Sequence, residues 1–246
     1  MATEFVRWLD ASASDRWLDV GCGSGAVTDS VLRFGSAAKV VGLDSSEGYM
    51  QYARAHVNDS RAGFVVGTAT ALPIGDGEVD VAISGLVLNF LPDPERALSE
   101  MVRVTRPGGI VGSYVWDYAG DTQLMRAFWD SAGALDSRAK ELDEGVRFPL
   151  CRPDPLRELF AGVGLVDVRV RPIDVATRFR DFDDYWTPFL GGQGPAPGYA
   201  MSLSEDRRDE LREHIRVRLP YAADGSIPLI ARAWAVQGRC AVGTSR

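Results

Sequence analysis

Three glycines, Gly21, Gly23 and Gly25, stand between a short apolar run over 16–20 and a segment over 26–34 whose apolar residues recur at helical spacing. A strand that passes through such a turn straight into a helix is the opening unit of a parallel sheet with helices on its faces. Glycine is required there because the turn needs positive φ angles and a close approach of ligand to backbone. The first turn of the following helix presents unpaired N–H groups and a partial positive charge to whatever lies above it.

Gly21-x-Gly23-x-x-Ala26 satisfies the dinucleotide fingerprint, so the glycines alone do not choose between a nicotinamide cofactor and S-adenosylmethionine. Asp19 separates the two. A carboxylate at that place would oppose a pyrophosphate and suits the ammonium of a methionine moiety. A second apolar run, 40–43, ends in Asp44, placed to accept both vicinal hydroxyls of an adenosine ribose. Ser45 follows at the same strand end, and the Asp-Ser-Ser cluster over 44–46 can equally supply the cap of the next helix.

Along the chain, strands expected near 16–20, 38–43, 62–67, 78–84 and 108–116 alternate with helices near 25–34, 46–56 and 94–105. A helix over 155–161 and strands over 165–175 and 227–236 complete the pattern. The expected fold is α/β, a Rossmann-like doubly wound sheet of seven strands. Asp93 is placed to cap the helix that begins at Pro94, with Ala97, Leu98, Met101, Val102 and Thr105 at helical spacing and Pro107-Gly108-Gly109 as its stop. Ligands of open α/β sheets bind beyond the carboxyl ends of the strands, near the point where strand order reverses. Gly21, Gly23, Gly25, Asp44, Thr68, Ala69, Ser84, Gly85 and Leu86 all fall at such ends. Met50 is either a cover for an adenine ring or a core residue. Asn89 and Phe90 follow the fourth strand.

Leu18 to Gly25, Val40 to Met50, Gly67-Thr68-Ala69-Thr70-Ala71-Leu72-Pro73, Val79 to Ser84 and Arg103 to Gly109 occur in an order that resembles the class I S-adenosylmethionine-dependent methyltransferases, in particular the ubiquinone/menaquinone-biosynthesis-like branch of small-molecule enzymes. The resemblance covers most of 16–116. It implies S-adenosylmethionine as cofactor, a last strand antiparallel to the others, and substrate-facing residues near Asn89. In that family the position of Thr68 is usually an aspartate bonded to the adenine amino group. A threonine hydroxyl can still accept from that group, with backbone atoms of Ala69 reading the ring edge, but as a weaker anchor. Related enzymes also commonly carry a helical segment before the first strand, and Phe5 to Leu9 resembles its end.

A net charge of −7 disfavours a generic nucleic-acid binder, and no apolar run approaches the length of a membrane span. No basic segment followed by an apolar core marks a secretory leader, so a cytoplasmic location is expected. Cys22, Cys151 and Cys240 are too few and too scattered for a disulfide framework or a cysteine zinc site, so no metal is expected. Cys22 reads as a packing residue of the glycine turn.

The whole chain, 1–246, is expected to be one domain, with a cofactor-binding core over about 16–116. The segments 117–152 and 178–225 lie outside the sheet pattern and are expected to form a substrate cover. They carry Asp117, Tyr118, Phe128 and Trp129, with Trp116 just before the first, then Phe179, Phe182, Tyr185, Trp186, Phe189 and Tyr199. Such rings suit a small acceptor, partly apolar or aromatic, or simply pack the inserted helices. The stretch Gly191 to Gly198, rich in glycine and proline, is expected to be irregular. Of the two histidines, His56 closes a helix and His214 lies on the charged amphipathic segment 207–218.

The leading expectation is methyl transfer from S-adenosylmethionine to a small molecule by in-line displacement, with Asn89 and His214 as candidate catalytic groups. A nicotinamide-dependent reductase and a non-catalytic S-adenosylmethionine-binding scaffold are the alternatives. Lysine occurs only at Lys39 and Lys140, so the chain lacks the Tyr-x-x-x-Lys pair of short-chain reductases.

Overall fold

The computed structural model describes residues 1–9, 11–12, 15–192 and 194–242. Seven strands, β1 (Arg16–Val20), β2 (Lys39–Asp44), β3 (Ala62–Val66), β4 (Val79–Gly85), β5 (Thr105–Trp116), β6 (Val166–Phe179) and β7 (Ile227–Arg239), form one sheet in the order β3-β2-β1-β4-β5-β7-β6. Strands β1 to β5 pair in parallel, and β7 runs antiparallel to them. The helices are α1 (Ala2–Leu9), α2 (Ala26–Phe34), α3 (Glu47–His56), α4 (Pro94–Val104), α5 (Gln123–Leu135), α6 (Glu144–Arg147), α7 (Pro153–Gly162), α8 (Phe182–Trp186), α9 (Pro195–Ser202) and α10 (Glu205–Arg216).

The central strands read as near-continuous apolar runs because helices cover both faces. Trp17, Leu18 and Val20 of β1 and Val81, Ala82 and Ile83 of β4 are fully buried. β1 pairs with β2 on one side and β4 on the other, so the order of successive strands reverses beside β1. That reversal opens a crevice at the carboxyl ends of β1 and β4.

Sequence marks the helix starts well. Ser46 accepts from Tyr49 N at 3.3 Å to cap α3, and Asp93 accepts from Arg96 N at 2.9 Å to cap α4, with Pro94 in its first turn. The end of α4 differs from expectation. Pro107-Gly108-Gly109 does not stop the helix; it lies inside β5, where Val79 pairs with Thr105 but Val81 pairs with Ile110. The extra residues form a bulge, with Gly108 at φ 74° and Gly109 so close to Asp80 O that a Cβ would sit 2.6 Å away. The helix ends at Val104, and the Thr105 hydroxyl bonds back to Met101 O at 2.7 Å.

Glu100, buried on α4, accepts from Leu72 N at 2.8 Å and takes both arms of Arg103, at 2.8 and 2.9 Å. Arg103 in turn donates to Leu72 O and Ile74 O, so this pair ties the segment after β3 to α4. The Arg103 bonds hold the Glu100 carboxyl down to about 2. A lowered carboxyl stabilises the fold above its unfolded pKa, and that contribution is lost as pH falls through about 2. Arg103→Met leaves the buried carboxylate with only the longer 3.6 Å contact to Arg96 and is expected to cost about 3 kcal/mol at pH 7. The same substitution in a Glu100→Gln background should cost much less, as paired urea melts would show.

The chain divides into two compact units. One holds Met1–Val115, Pro153–Ile173 and the chain from Trp234 onward; the other holds Trp116–Arg152 and Asp174–Ala233. In the first, Phe5, Val6 and Leu9 of α1 are buried, and the Phe5 ring lies 4.9 Å from that of Tyr114. Met50 is wholly buried against Cys22, Ala53 and Phe64, which makes it a core residue, and Cys22 packs with it.

The second unit has its own core of Phe128, Trp129, Phe182, Tyr185, Trp186, Phe189, Leu211 and Ile215. Phe128 stacks on Phe189 at 4.5 Å and meets the edge of Trp129 at 5.1 Å. Most of the rings noted in the sequence therefore hold this unit together. The buried Trp129 indole donates to Glu144, whose carboxyl is pushed up by burial. The region around Gly191 to Gly198 is more regular than expected. Gly194, at φ 88°, precedes Pro195, which starts α9 with its fixed φ; Gln193 lies outside the described residues. No helix among the described residues is long and apolar enough to cross a membrane.

Candidate active site

All three glycines of the turn take left-handed backbone, with φ of 73° at Gly21, 53° at Gly23 and 89° at Gly25. They do different work. A Cβ on Gly21 would lie 2.7 Å from Val87, and one on Gly25 2.9 Å from Val57, whereas one on Gly23 would meet nothing within 4 Å. Gly23 therefore presents the open face of the turn.

The turn is fastened to the end of β2. Leu43 O accepts from Gly21 N at 2.7 Å and Cys22 N at 3.0 Å, and Asp44 Oδ2 accepts from Gly23 N at 3.0 Å. Asp44 Oδ1 accepts from Ser46 N at 2.9 Å. Capping of α3 belongs to Ser46, so Asp44 is left half-buried at the strand end. Each of its oxygens holds one bond and keeps further acceptor capacity for ligand hydroxyls. Ser45 beside it is exposed.

Asp19, at the end of β1, is wholly buried. Its Oδ2 accepts from the Thr28 hydroxyl at 2.7 Å, while Oδ1 has no hydrogen-bond partner. Burial, opposed by the bonds from Thr28, pushes its carboxyl up to about 7. Cys22 is pushed far above the ordinary thiol range by burial and the neighbouring aspartates, so it is no nucleophile.

At the end of β3 the exposed Thr68 hydroxyl lies 3.1 Å from that of Thr70, and a short bridge links Thr68 to Ala71. Ala69 is half-buried beside it. At the end of β4, Ser84 is buried with an unpartnered hydroxyl, and Gly85 lies so close to Val27 and Tyr114 that a Cβ would meet them at 2.7 and 2.9 Å. Leu86 follows at φ 62°, its N–H held by Tyr114 O at 2.8 Å. A non-glycine residue in that conformation stores strain of the kind found at ligand sites. Asn89, in the helical turn Leu88–Phe90, buries an amide nitrogen with no partner.

The first unit thus brings Asp19, Gly21, Gly23, Gly25, Asp44, Ser45, Thr68, Ala69, Ser84, Gly85 and Asn89 to the carboxyl ends of four adjacent strands. His214 is on α10 of the other unit, its Nδ1 buried without a partner and its pKa lowered by burial and Arg218. His56 stacks on Tyr52 at 3.8 Å in the last turn of α3, with Nδ1 2.8 Å from Tyr52 O. Thr28 and Tyr114 escaped sequence reading. Only Thr28 left a signal: it stands one turn into a helix whose cap is a glycine.

Residues 18–112 match the family model described as a methyltransferase domain. That span begins within β1 and ends within β5, and so takes in the carboxyl ends of β1 to β4. Over these residues, somewhat under half of its length, the chain is similar to a methyltransferase domain. It is 28% identical to the demethylmenaquinone methyltransferase of Desulfitobacterium hafniense over 67% of this chain and 71% of that one. It is 37% identical to the malonyl-[acyl-carrier protein] O-methyltransferase of Methylococcus capsulatus over 46% of this chain and 42% of that one. The chain spans about two fifths of the length of the first curated relatives it matches. A structure of phosphoethanolamine N-methyltransferase 2 from Haemonchus contortus in complex with S-adenosyl-L-methionine superposes with a TM-score of 0.60, over 97% of this chain and 52% of that one, at 17% identity. This likeness is one of fold.

Proposed function

We propose that the chain transfers the methyl group of S-adenosylmethionine to a small, partly apolar acceptor. One conjunction carries the reading: an open glycine turn at Gly23, an unengaged buried oxygen on Asp19 and spare acceptor capacity on Asp44, all at the ends of β1 and β2. The residues present fit the cofactor. Asp44 would hold the ribose hydroxyls, with Ser45 beside it, Asp19 the ammonium, Gly21, Gly23 and Gly25 the close backbone approach, and Thr68 and Ala69 the adenine edge.

When bound, S-adenosylmethionine supplies a methyl group already activated for in-line displacement. What remains for the protein is alignment and exclusion of water, which can supply much of the rate. Ser84, Gly85 and the strained Leu86 shape the wall at the end of β4. Leu86 and Val87 are half-buried and Phe90 is 53% exposed, an apolar surface next to the buried amide of Asn89. Asn89 would donate a hydrogen bond to a polar atom of the acceptor and orient it.

The test is an acceptor screen with S-adenosylmethionine labelled in its methyl group, using small aromatic and aliphatic acids, phenols and amines. For an acceptor that is methylated, Asn89→Ala is expected to lower kcat/KM by about fivefold to tenfold, the worth of one buried hydrogen bond, with S-adenosylhomocysteine affinity within about twofold of wild type. Cofactor binding with no methylated product from any class would contradict the reading.

A further inference from the structure

Gly25 caps α2 without a side chain, and the carboxylate that faces the start of this helix comes instead from Asp19 on β1. The Thr28 hydroxyl donates to Asp19 Oδ2 at 2.7 Å, the Thr28 backbone N–H also faces the carboxyl, and both residues are wholly buried. Oδ1 has no partner. A buried carboxylate oxygen with no donor is costly, so this arrangement favours arrival of a positively charged donor.

We propose that Thr28 is a positioning residue of the cofactor site: its hydroxyl fixes the Asp19 carboxyl by Oδ2 and reserves Oδ1 for the ammonium of the cofactor. This rests on the cofactor reading given above. Without the hydroxyl the carboxyl can rotate, and either oxygen can turn back to the Thr28 N–H. The hydroxyl also favours the charged form of Asp19, against burial and the nearby Asp44 carboxylate. The other titratable groups that face Asp19 are Cys22 and Tyr114, both raised by burial and further by its charge, and so neutral near pH 7. Affinity for a cationic ligand group should therefore rise with pH as Asp19 ionises near pH 7, and loss of the hydroxyl should move that rise upward.

The experiment is calorimetric titration of S-adenosylhomocysteine into wild type, Thr28→Ser and Thr28→Val between pH 5.5 and 8.5, with melting temperatures as the check on folding. Thr28→Ser is expected to bind within about twofold of wild type. Thr28→Val should bind about tenfold more weakly at pH 7, the loss of one bond to a charged group, and its affinity should rise at a higher pH. Should the valine variant not fold, Thr28→Ala takes its place. Three results would overturn the proposal: a valine variant that follows wild type at every pH, a serine variant as weak as the valine one, or a flat wild-type pH profile. Wild type that binds no ligand at any pH would sink the cofactor reading itself, and so is distinct from failure of the Thr28 role alone.

Discussion

Asp44→Ala is expected to weaken S-adenosylhomocysteine binding by at least a hundredfold. The Asp44 carboxylate does two jobs. It holds Gly23 N at 3.0 Å and Ser46 N at 2.9 Å, and so fixes the glycine turn against the end of β2. Its remaining lone pairs would take the ribose hydroxyls. Charge-assisted hydrogen bonds contribute about 1.5–3 kcal/mol each, so loss of two amounts to a factor of a hundred or more. The cost to folding should stay near 1–2 kcal/mol, because the residue is half-buried and water can reach the freed N–H groups. Asp44→Asn keeps one acceptor oxygen and should fall between. Calorimetry alongside thermal melts would separate the two effects, and an alanine variant that binds within threefold of wild type would remove Asp44 from the site.

Gly21→Ala and Gly23→Ala are expected to fail in opposite ways. At Gly21 the new Cβ would stand 2.7 and 2.8 Å from the methyl carbons of Val87, in a backbone at φ 73° that favours glycine. Overlap of about 1–3 kcal/mol adds to backbone strain of about 1 kcal/mol, so the stability loss should be about 2–4 kcal/mol. For a chain of this size that lowers Tm by about 5–15 °C. At Gly23 the backbone strain is similar but the Cβ meets nothing within 4 Å. That variant should lose only about 1 kcal/mol of stability and yet bind S-adenosylhomocysteine at least tenfold more weakly, since the methyl occupies the face a ligand must approach. Normal binding by Gly23→Ala would place the ligand elsewhere.

The sequence showed the sheet clearly because its signals are local and agree. Apolar runs at β1, β2 and β4, glycines at one turn and caps at Ser46 and Asp93 all point the same way, and each boundary lies within a few residues of its expected place. Pro107-Gly108-Gly109 misled because a breaker triplet serves equally to stop a helix or to bulge a strand. Register against Val79 and Val81 decides which, and register is a property of the partner strand. Gly191 to Gly198 misled because Pro195 is a helix breaker inside a helix but a helix starter at its first turn. Met50 and the rings of the second unit show another limit: a core and a ligand pocket require the same residues, and only burial separates them.

The candidate site was legible where chemistry is tied to a strand end, as at Asp19, Asp44 and the glycines. The Asp19 to Thr28 bond was hidden because it joins a strand to a helix across the turn, and no periodicity records such a pairing. Tyr114 was hidden for a related reason. It acts through contact with Gly85 and a backbone bond to Leu86, both on a neighbouring strand end.

Calorimetric titration of S-adenosylhomocysteine and, separately, of a reduced nicotinamide dinucleotide into the purified protein at pH 7.5 tests the central claim most directly. Saturable one-to-one binding of S-adenosylhomocysteine, lost in Asp44→Ala and absent for the nicotinamide, is the expected result. Binding of the nicotinamide instead, or an Asp44→Ala variant that binds as tightly as wild type, would contradict the assignment of this strand-end rim as the methyl-donor site.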